Sequence, residues 1–411
     1  MEFLEEYYKF NRILLSVTGL WPYDNIKVRQ LRFILLLLIL LSLMSAQLLK
    51  LFVSKYQPDI VLKVLCFNIV IVIMTLKYIT FYAIADKVKI FRKYLLDNWS
   101  NLTDNQEIQI IYKQAKIAKT YTIFITTFVY FIICSCIIVQ YLPNLFDIIR
   151  PLNVSRSRQE IILVEYFIDQ QKYFHIITMN INIALFTVGT TGLATETFLL
   201  ANALCACGMF QIASYRMKNI LNGNELQICA TKKYTAFRDR IIAAVDIHKR
   251  AIQYCELLNK NFGFIYLFSF LGVVISTSIN LFYVLRIIPT KNILDIVLHI
   301  LLIILHLMAL IIANYAGQQC INCDSHVYRT ICNTRWYNAP LKTQKLILFL
   351  IQKTTKCYKI NAGGMFSPSF EGLATVRNSE IDINTIIKQL KNPFFQGLSM
   401  SVSYFMVLYS I

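Results

Sequence analysis

Six uninterrupted apolar runs, each long enough to cross a lipid bilayer, constrain this chain more than any other feature. They lie near Leu31–Val53, Leu62–Ala85, Tyr121–Leu142, Phe174–Leu200, Phe262–Leu285 and Ile293–Tyr315. A helix needs about 20 apolar residues to cover the roughly 30 Å hydrocarbon core. Inside lipid every backbone N–H and C=O must find its partner within the protein, so runs of this length read as helices. A seventh apolar stretch closes the sequence. The expected fold class is therefore an all-α membrane protein with seven transmembrane helices. Composition agrees: charged residues make up only 16% of the 411, below the usual quarter of a soluble protein.

The net charge of +18 would suit a nucleic-acid partner, but the basic residues are scattered between apolar runs and form no single patch. Their distribution points to the membrane instead. The segments before Leu31 and at 86–120, 201–261 and 316–365 hold 27 Lys and Arg; the alternate segments 54–61, 143–173 and 286–292 hold 7. Basic residues favour the cytoplasmic side. The expected N-terminus is cytoplasmic and, with seven spans, the C-terminus extracellular. That polarity is the reverse of a G-protein-coupled receptor, and no cytoplasmic tail is expected after the last span. The first thirty residues carry Glu2, Glu5, Glu6 and Asp24 and resemble no cleavable signal, so the first span is expected to target the chain.

The seventh span is interrupted. Val376–Gln396 carries five charges and leaves only fifteen residues after it, about 22 Å of helix at about 1.5 Å per residue. Without those 21 residues, Met365–Ile411 reads as one 26-residue span. Val376–Arg377 can be encoded as a splice donor, and Phe394–Phe395–Gln396 as a pyrimidine tract ending in a splice acceptor. A retained intron translated in frame fits these edges. The competing reading is a genuine insertion: a short cytoplasmic amphipathic helix with Ser379 as N-cap and Glu380 and Asp382 in its first turn.

Several stretches resemble the insect odorant receptors, in the divergent tuning-receptor group. "EYFIDQQKYF" (Glu165–Phe174) is similar to that family's second extracellular loop. "TTGLATETFLLANALCACGMFQIASYRMKN" (Thr190–Asn219) resembles its fourth helix leaving the membrane. Ala316–Thr354 resembles its last cytoplasmic loop, with Gly317–Gln318, Trp336–Tyr337, Pro340 and Gln344–Lys345 in place. "SPSFEG" and "SVSYFMVLYSI" resemble the two parts of its final helix. Cys205 stands where relatives often carry His. The aromatic-rich, Gln-Phe ending of the related gustatory receptors is absent.

This resemblance implies a ligand-gated, weakly selective cation channel of four subunits, in which a tuning subunit joins the shared odorant co-receptor as a heterotetramer in the plasma membrane of olfactory dendrites. It implies a cytoplasmic N-terminal segment at 1–30, helices one to six with their loops at 31–315, a cytoplasmic anchor loop with the first part of helix seven at 316–365, and a pore helix seven at 366–411, interrupted by the 376–396 segment. Helices four to seven extend into the anchor. Tyr404, Val407 and Ile411 share one face of the last helix, flanked by Ser403 and Ser410. By resemblance Val407 and Ile411 match a hydrophobic gate and Ser410 the outer pore wall; packing against neighbouring helices is the alternative. The readings from other classes are an inverted seven-helix receptor signalling metabolically, a gustatory-type channel and a solute transporter. A transporter would show matched repeats and broken spans, which this sequence lacks.

A small volatile odorant calls for an apolar pocket with few polar groups. On helices two, three, four and six the candidates by helical spacing are Met74 and Tyr78; Tyr130, Cys134 and Ile137; Met179 and Ile183; and His299 and Ile303. Interhelical packing is the competing role for each. His299 and His306 lie seven apart in the sixth span, where a neutral, hydrogen-bonded core histidine is the expectation for both. Cys205/Cys207 and Cys320/Cys323 form C-x-C and C-x-x-C pairs, but no second metal-type pair accompanies them, so no metal or other cofactor is expected. Asn153 is the one glycosylation sequon on the expected outer face. No catalytic constellation is present, and no enzymatic activity is expected.

Transcripts from antennal tissue should include a form lacking the codons for residues 376–396. The shortened chain should give odour-evoked currents with its co-receptor, and the full 411-residue chain little or none. Equal currents from the two would refute the intron reading.

Overall fold

The computed structural model describes residues 2–54, 57–100, 102–149, 162–169, 172–221, 230–290, 292–355 and 358. The described residues are helical or irregular, with no strand among them. Nine α-helices cover them: α1 (Glu2–Val17), α2 (Ile26–Val53), α3 (Pro58–Ala83), α4 (Ala85–Trp99), α5 (Asn105–Ile149), α6 (Phe174–Lys218), α7 (Ala230–Ile287), α8 (Ile293–Asn333) and α9 (Leu341–Thr354). Six of these, α2, α3 and α5 to α8, are long and apolar enough to cross a membrane. They coincide with the six apolar runs. The seventh span, with Ser403, Tyr404, Val407, Ser410 and Ile411, lies outside the described residues, as do the 376–396 segment and Asn153.

Local chemistry sets the helix starts. The Asn25 side chain accepts the Lys27 N–H at 3.0 Å and caps α2. Pro58 opens α3, where its missing N–H has no helical partner to lose, and Asp59 follows in the positive first turn.

Helices α5 to α8 run well past their apolar runs. The 45 residues of α6 reach about 68 Å at about 1.5 Å per residue, more than twice the hydrocarbon thickness. Hydropathy marks only the part suited to lipid; the added turns are amphipathic and pack on each other. There the polar ties are specific. Arg216 on α6 grips Glu107 on α5 through two bonds of 2.6 and 2.8 Å and also donates to the Ala243 carbonyl of α7. His248 on α7 meets Asp324 on α8 at 2.7 Å. Asn98, in a sequon on α4, is buried and accepts a bond from Arg250 on α7.

α6 is the hub, touching α1, α2, α3, α5, α7 and α8. Of its most apolar stretch 89% is buried, against 22% for α2 and α8. The main hydrophobic core surrounds its second half: Met209 and Phe210 of α6, Phe81 of α3, Phe91 of α4 and Tyr254 of α7 are fully buried there. A smaller core joins Leu43 and Ala46 of α2, Ile71 of α3, Ile177 and Ile181 of α6 and Leu298 of α8. Ile162 and Val164 complete it from the segment before α6. There the Glu165 N–H donates to the Ala46 carbonyl, and its carboxylate pairs with Lys50 at 3.2 Å.

Three helices, α1, α4 and α9, are additional to the six apolar runs. α4 covers the start of 86–120, a basic loop by sequence, from Ala85 onward; its buried face of Val88, Phe91 and Leu95 packs into the main core. α1 docks on α5 and α6. Leu14, Leu15 and Leu20 join the main core, and the Tyr8 hydroxyl meets the Cys205 thiol on α6. The turn after α1 is a two-bond helix stop: the Gly19 N–H reaches the Ser16 carbonyl at 3.0 Å and the Leu20 N–H the Leu15 carbonyl at 2.8 Å. Gly19 has φ of +69°, and a Cβ there would stand 2.8 Å from the Arg29 carbonyl oxygen. Arg32 and Tyr78 then clamp the turn, donating to the carbonyls of Ser16 at 2.7 Å and Thr18 at 2.6 Å.

Gly19→Val should therefore destabilise the fold. The left-handed backbone alone costs a branched residue about 1–2 kcal/mol, and the clash with the Arg29 carbonyl adds to it. A lower melting temperature of the detergent-purified chain is expected; an unchanged one would contradict this account of the turn.

Candidate ligand cavity

Gly189 and Gly192, one helical turn apart on α6, line a hollow bordered by α3, α5 and α8. A Cβ at Gly189 would run into Ile133 of α5, and one at Gly192 would lie 3.6 Å from the Met74 sulfur of α3, at ordinary contact distance. The result is a cavity of about 200 Å³ walled by α3, α5, α6 and α8, with Val273 contributed by α7. These are the second, third, fourth and sixth of the span-length helices, the four from which the candidate ligand residues were drawn.

The α5 wall is a helical stripe of Ile125, Phe128, Val129, Ile132, Ile133 and Cys136, at steps of three and four residues. α8 contributes Leu298, Leu302, Leu305, His306, Met308, Ala309 and Ile312. Besides His306, the strongly polar side chain on the wall is Glu196 of α6, whose carboxylate is ion-paired with the buried Lys77 of α3. The cavity is thus hydrocarbon and sulfur in character, with one ion pair at one end and one imidazole. Small apolar sites have this form. A larger cleft, about 950 Å³, lies at the far end of α6 and α8 and is lined by Gln211, Lys218, His326 and Arg335 among others. Its polar wall suits water better than an apolar ligand, and it borders the undescribed residues 222–229.

Of the nine candidate ligand residues, the structure places Met74 on the cavity wall. Tyr78 is buried one turn further along α3, where its hydroxyl holds Thr18. Tyr130 bonds the Thr190 hydroxyl at 2.9 Å beside the cavity. Cys134 is exposed, and Ile137 is half-buried off the α5 stripe. Met179 and Ile183, 62% and 42% exposed, lie on the outer surface of α6. His299 is buried, with Nδ1 2.8 Å from the Asn280 amide oxygen and its ring against Tyr283 and Phe67. Ile303 is half-buried and off the wall. Most of these are one residue, about 100° of helix, from the face that lines the cavity. The sequence signals for that face are the Gly189/Gly192 pair, Cys136 and His306.

The cysteine pairs belong to the core beyond the cavity. The Cys207 and Cys320 sulfurs are 3.7 Å apart, and Cys323 accepts a long bond from the Gln211 amide. No cluster of three or more His, Cys, Asp or Glu side chains suited to a metal occurs among the described residues.

Known proteins bear on this architecture. The fold matches the structure of the insect olfactory receptor OR5 from Machilis hrabei in complex with eugenol, with a TM-score of 0.73 at 12% identity, covering 99% of this chain and 98% of that one. The structure of the same receptor described without eugenol matches with a TM-score of 0.70, also at 12% identity, over 98% of each chain. At that identity the likeness concerns the fold. In sequence, Odorant receptor 22c of Drosophila melanogaster is 24% identical over 199 residues, 47% of this chain and 48% of that protein. The match thus spans about half the length of that curated relative. The family model described as 7tm Odorant receptor matches residues 57–379, from the start of α3 to beyond α9 and over every wall of the cavity. Over that range, which is more than half of its length, this multi-pass helical chain belongs to the 7tm odorant receptor family.

Proposed function

We propose that this chain is an odorant-tuning subunit of a ligand-gated cation channel. It sits in the plasma membrane of olfactory neurons with its N-terminus in the cytoplasm, and it works with the odorant co-receptor in a heterotetramer. The observation that carries this reading is the apolar cavity of about 200 Å³, lined mainly by four span-length helices in a chain of the odorant receptor family. The fold likeness to a receptor whose structure holds eugenol supports a small volatile ligand for the cavity.

The channel part rests on different residues. The closing helix would line the ion path, with Val407 and Ile411 as an apolar ring that dewets when closed and Ser403, Tyr404 and Ser410 on or beside the conducting face. The family match ends at residue 379, within the first residues of the 376–396 segment. This endpoint fits an insertion that separates the two parts of the helix. The extended α5 to α8 bundle, tied by Arg216–Glu107 and His248–Asp324, would serve as the cytoplasmic anchor through which subunits meet.

Expression of the shortened chain with and without the co-receptor, recorded against an odour panel in cells lacking G-protein signalling, tests the reading. Fast odour-evoked currents that need both chains are expected; currents that depend on a metabolic cascade would overturn the channel assignment. Within that assay, Gly192→Ala should leave half-maximal concentrations within about threefold, because its Cβ meets Met74 at ordinary contact distance. Gly192→Leu fills the cavity and should raise them about tenfold or more, as overpacking by about 1–3 kcal/mol implies.

A further inference from the structure

His306 differs from the other histidine of α8. His299 is satisfied by Asn280. His306 lines the cavity, is 5% exposed, and its Nδ1 has no hydrogen-bond partner. A buried polar nitrogen without a partner is costly and uncommon. The rest of the wall does not compete for a polar ligand. Glu196 is engaged by Lys77, and the remaining lining side chains are aliphatic, aromatic, thioether or thiol.

We propose that His306 is the specificity-determining residue of this cavity, and that the ligand it selects is a small neutral molecule, apolar except for one hydroxyl. This inference rests on the odorant-receptor reading above and deepens it. The chemistry follows from the imidazole. A neutral ring has one N–H donor and one acceptor nitrogen. A hydroxyl both donates and accepts, so an alcohol or phenol matches the ring in either tautomer; a ketone or ether matches only the one that presents an N–H. A protonated amine would bring a charge into an apolar space whose one carboxylate is already paired. At about 200 Å³ the cavity is below the roughly 300–1,000 Å³ of drug-sized sites, which keeps the ligand small.

The test uses alcohols from butanol to decanol and simple phenols, each paired with the hydrocarbon and the methyl ether of the same skeleton. They are applied to the shortened chain expressed with its co-receptor. The hydroxyl member of the best-fitting pair should act at about tenfold lower concentration than its hydrocarbon, the effect of one added hydrogen bond. His306→Leu should bring the ratio between the hydroxyl member and its hydrocarbon to about one, whatever the absolute sensitivity of the variant. His306→Gln, which keeps a donor and an acceptor, should retain part of it and serves as the informative variant should the leucine variant not reach the membrane. A purely structural role would move both members of a pair together. A wild-type response led by hydrocarbons, or a hydroxyl advantage that survives in His306→Leu or disappears equally in His306→Gln, overturns the assignment of His306 and leaves the receptor reading intact. Silence of the wild type to every compound, with both chains at the surface, overturns both.

Discussion

The structure depends on one helix having neighbours on nearly every side. α6 meets six other helices, which requires side chains small enough for close approach and polar groups that need no external partner. Its sequence supplies both. Gly192, Ala194, Ala201, Ala203, Ala206, Gly208 and Ala213 are small and buried, and the side chains of Met74 and Gln114 come within 3.6 Å of where a Cβ would stand on Gly192 and Gly208. The threonines consume their own hydroxyls: Thr187, Thr191, Thr195 and Thr197 each donate to the carbonyl four residues earlier, at 2.6–3.0 Å. Asn202 does the same with Phe198, and its amide oxygen also takes the Tyr254 hydroxyl. A polar-looking helix is thereby presented to its neighbours as a largely apolar rod.

The cavity lies beside the same surface. Ile133 of α5 closes onto Gly189 and Met74 of α3 reaches contact distance of Gly192, while the space between these contacts and the α8 side chains stays open. Its end at Glu196 and Ile312 is shared with a second hollow of about 90 Å³ between α6, α7 and α8. The Lys77–Glu196 pair therefore stands between the cavity and the helices that continue into the extended bundle. An ion pair so placed must be kept together, since separation would leave a charge buried alone. It ties α3 to α6 at the level where a filled cavity would press on them.

How far the sequence disclosed this varies by level. The six long helices were legible because burial in lipid writes a run that nothing else in a soluble domain requires. The order of motifs around Thr190–Asn219 and Ala316–Thr354 was legible for the same family-wide reason. The inward face of each helix was not. In water an apolar stripe marks the core, but in lipid the outer surface is equally apolar; Met179 and Ile183 look no different from Leu185 and Val188 until neighbours are in place. The extension of α6 to α8 was legible through the resemblance alone, and that of α5 was hidden, since hydropathy stops where the charged, amphipathic turns begin. α1 and α4 were missed because their buried faces, Leu14/Leu15 and Val88/Phe91/Leu95, are short and interrupted by Lys and Arg.

The position of α1 has a consequence for how the chain is made. Asn11 contacts Thr197, and Tyr8 contacts Cys205. At about 5–20 residues per second on the ribosome, the 186 residues between the first pair take about 10–40 s to emerge. For that interval α1 and the turn after it have their contacts with Arg32, Tyr78 and then α5 but lack the α6 half of the docking surface. Completion of α6 is what closes the site of the first helix, so the packing of an early segment waits on a later one.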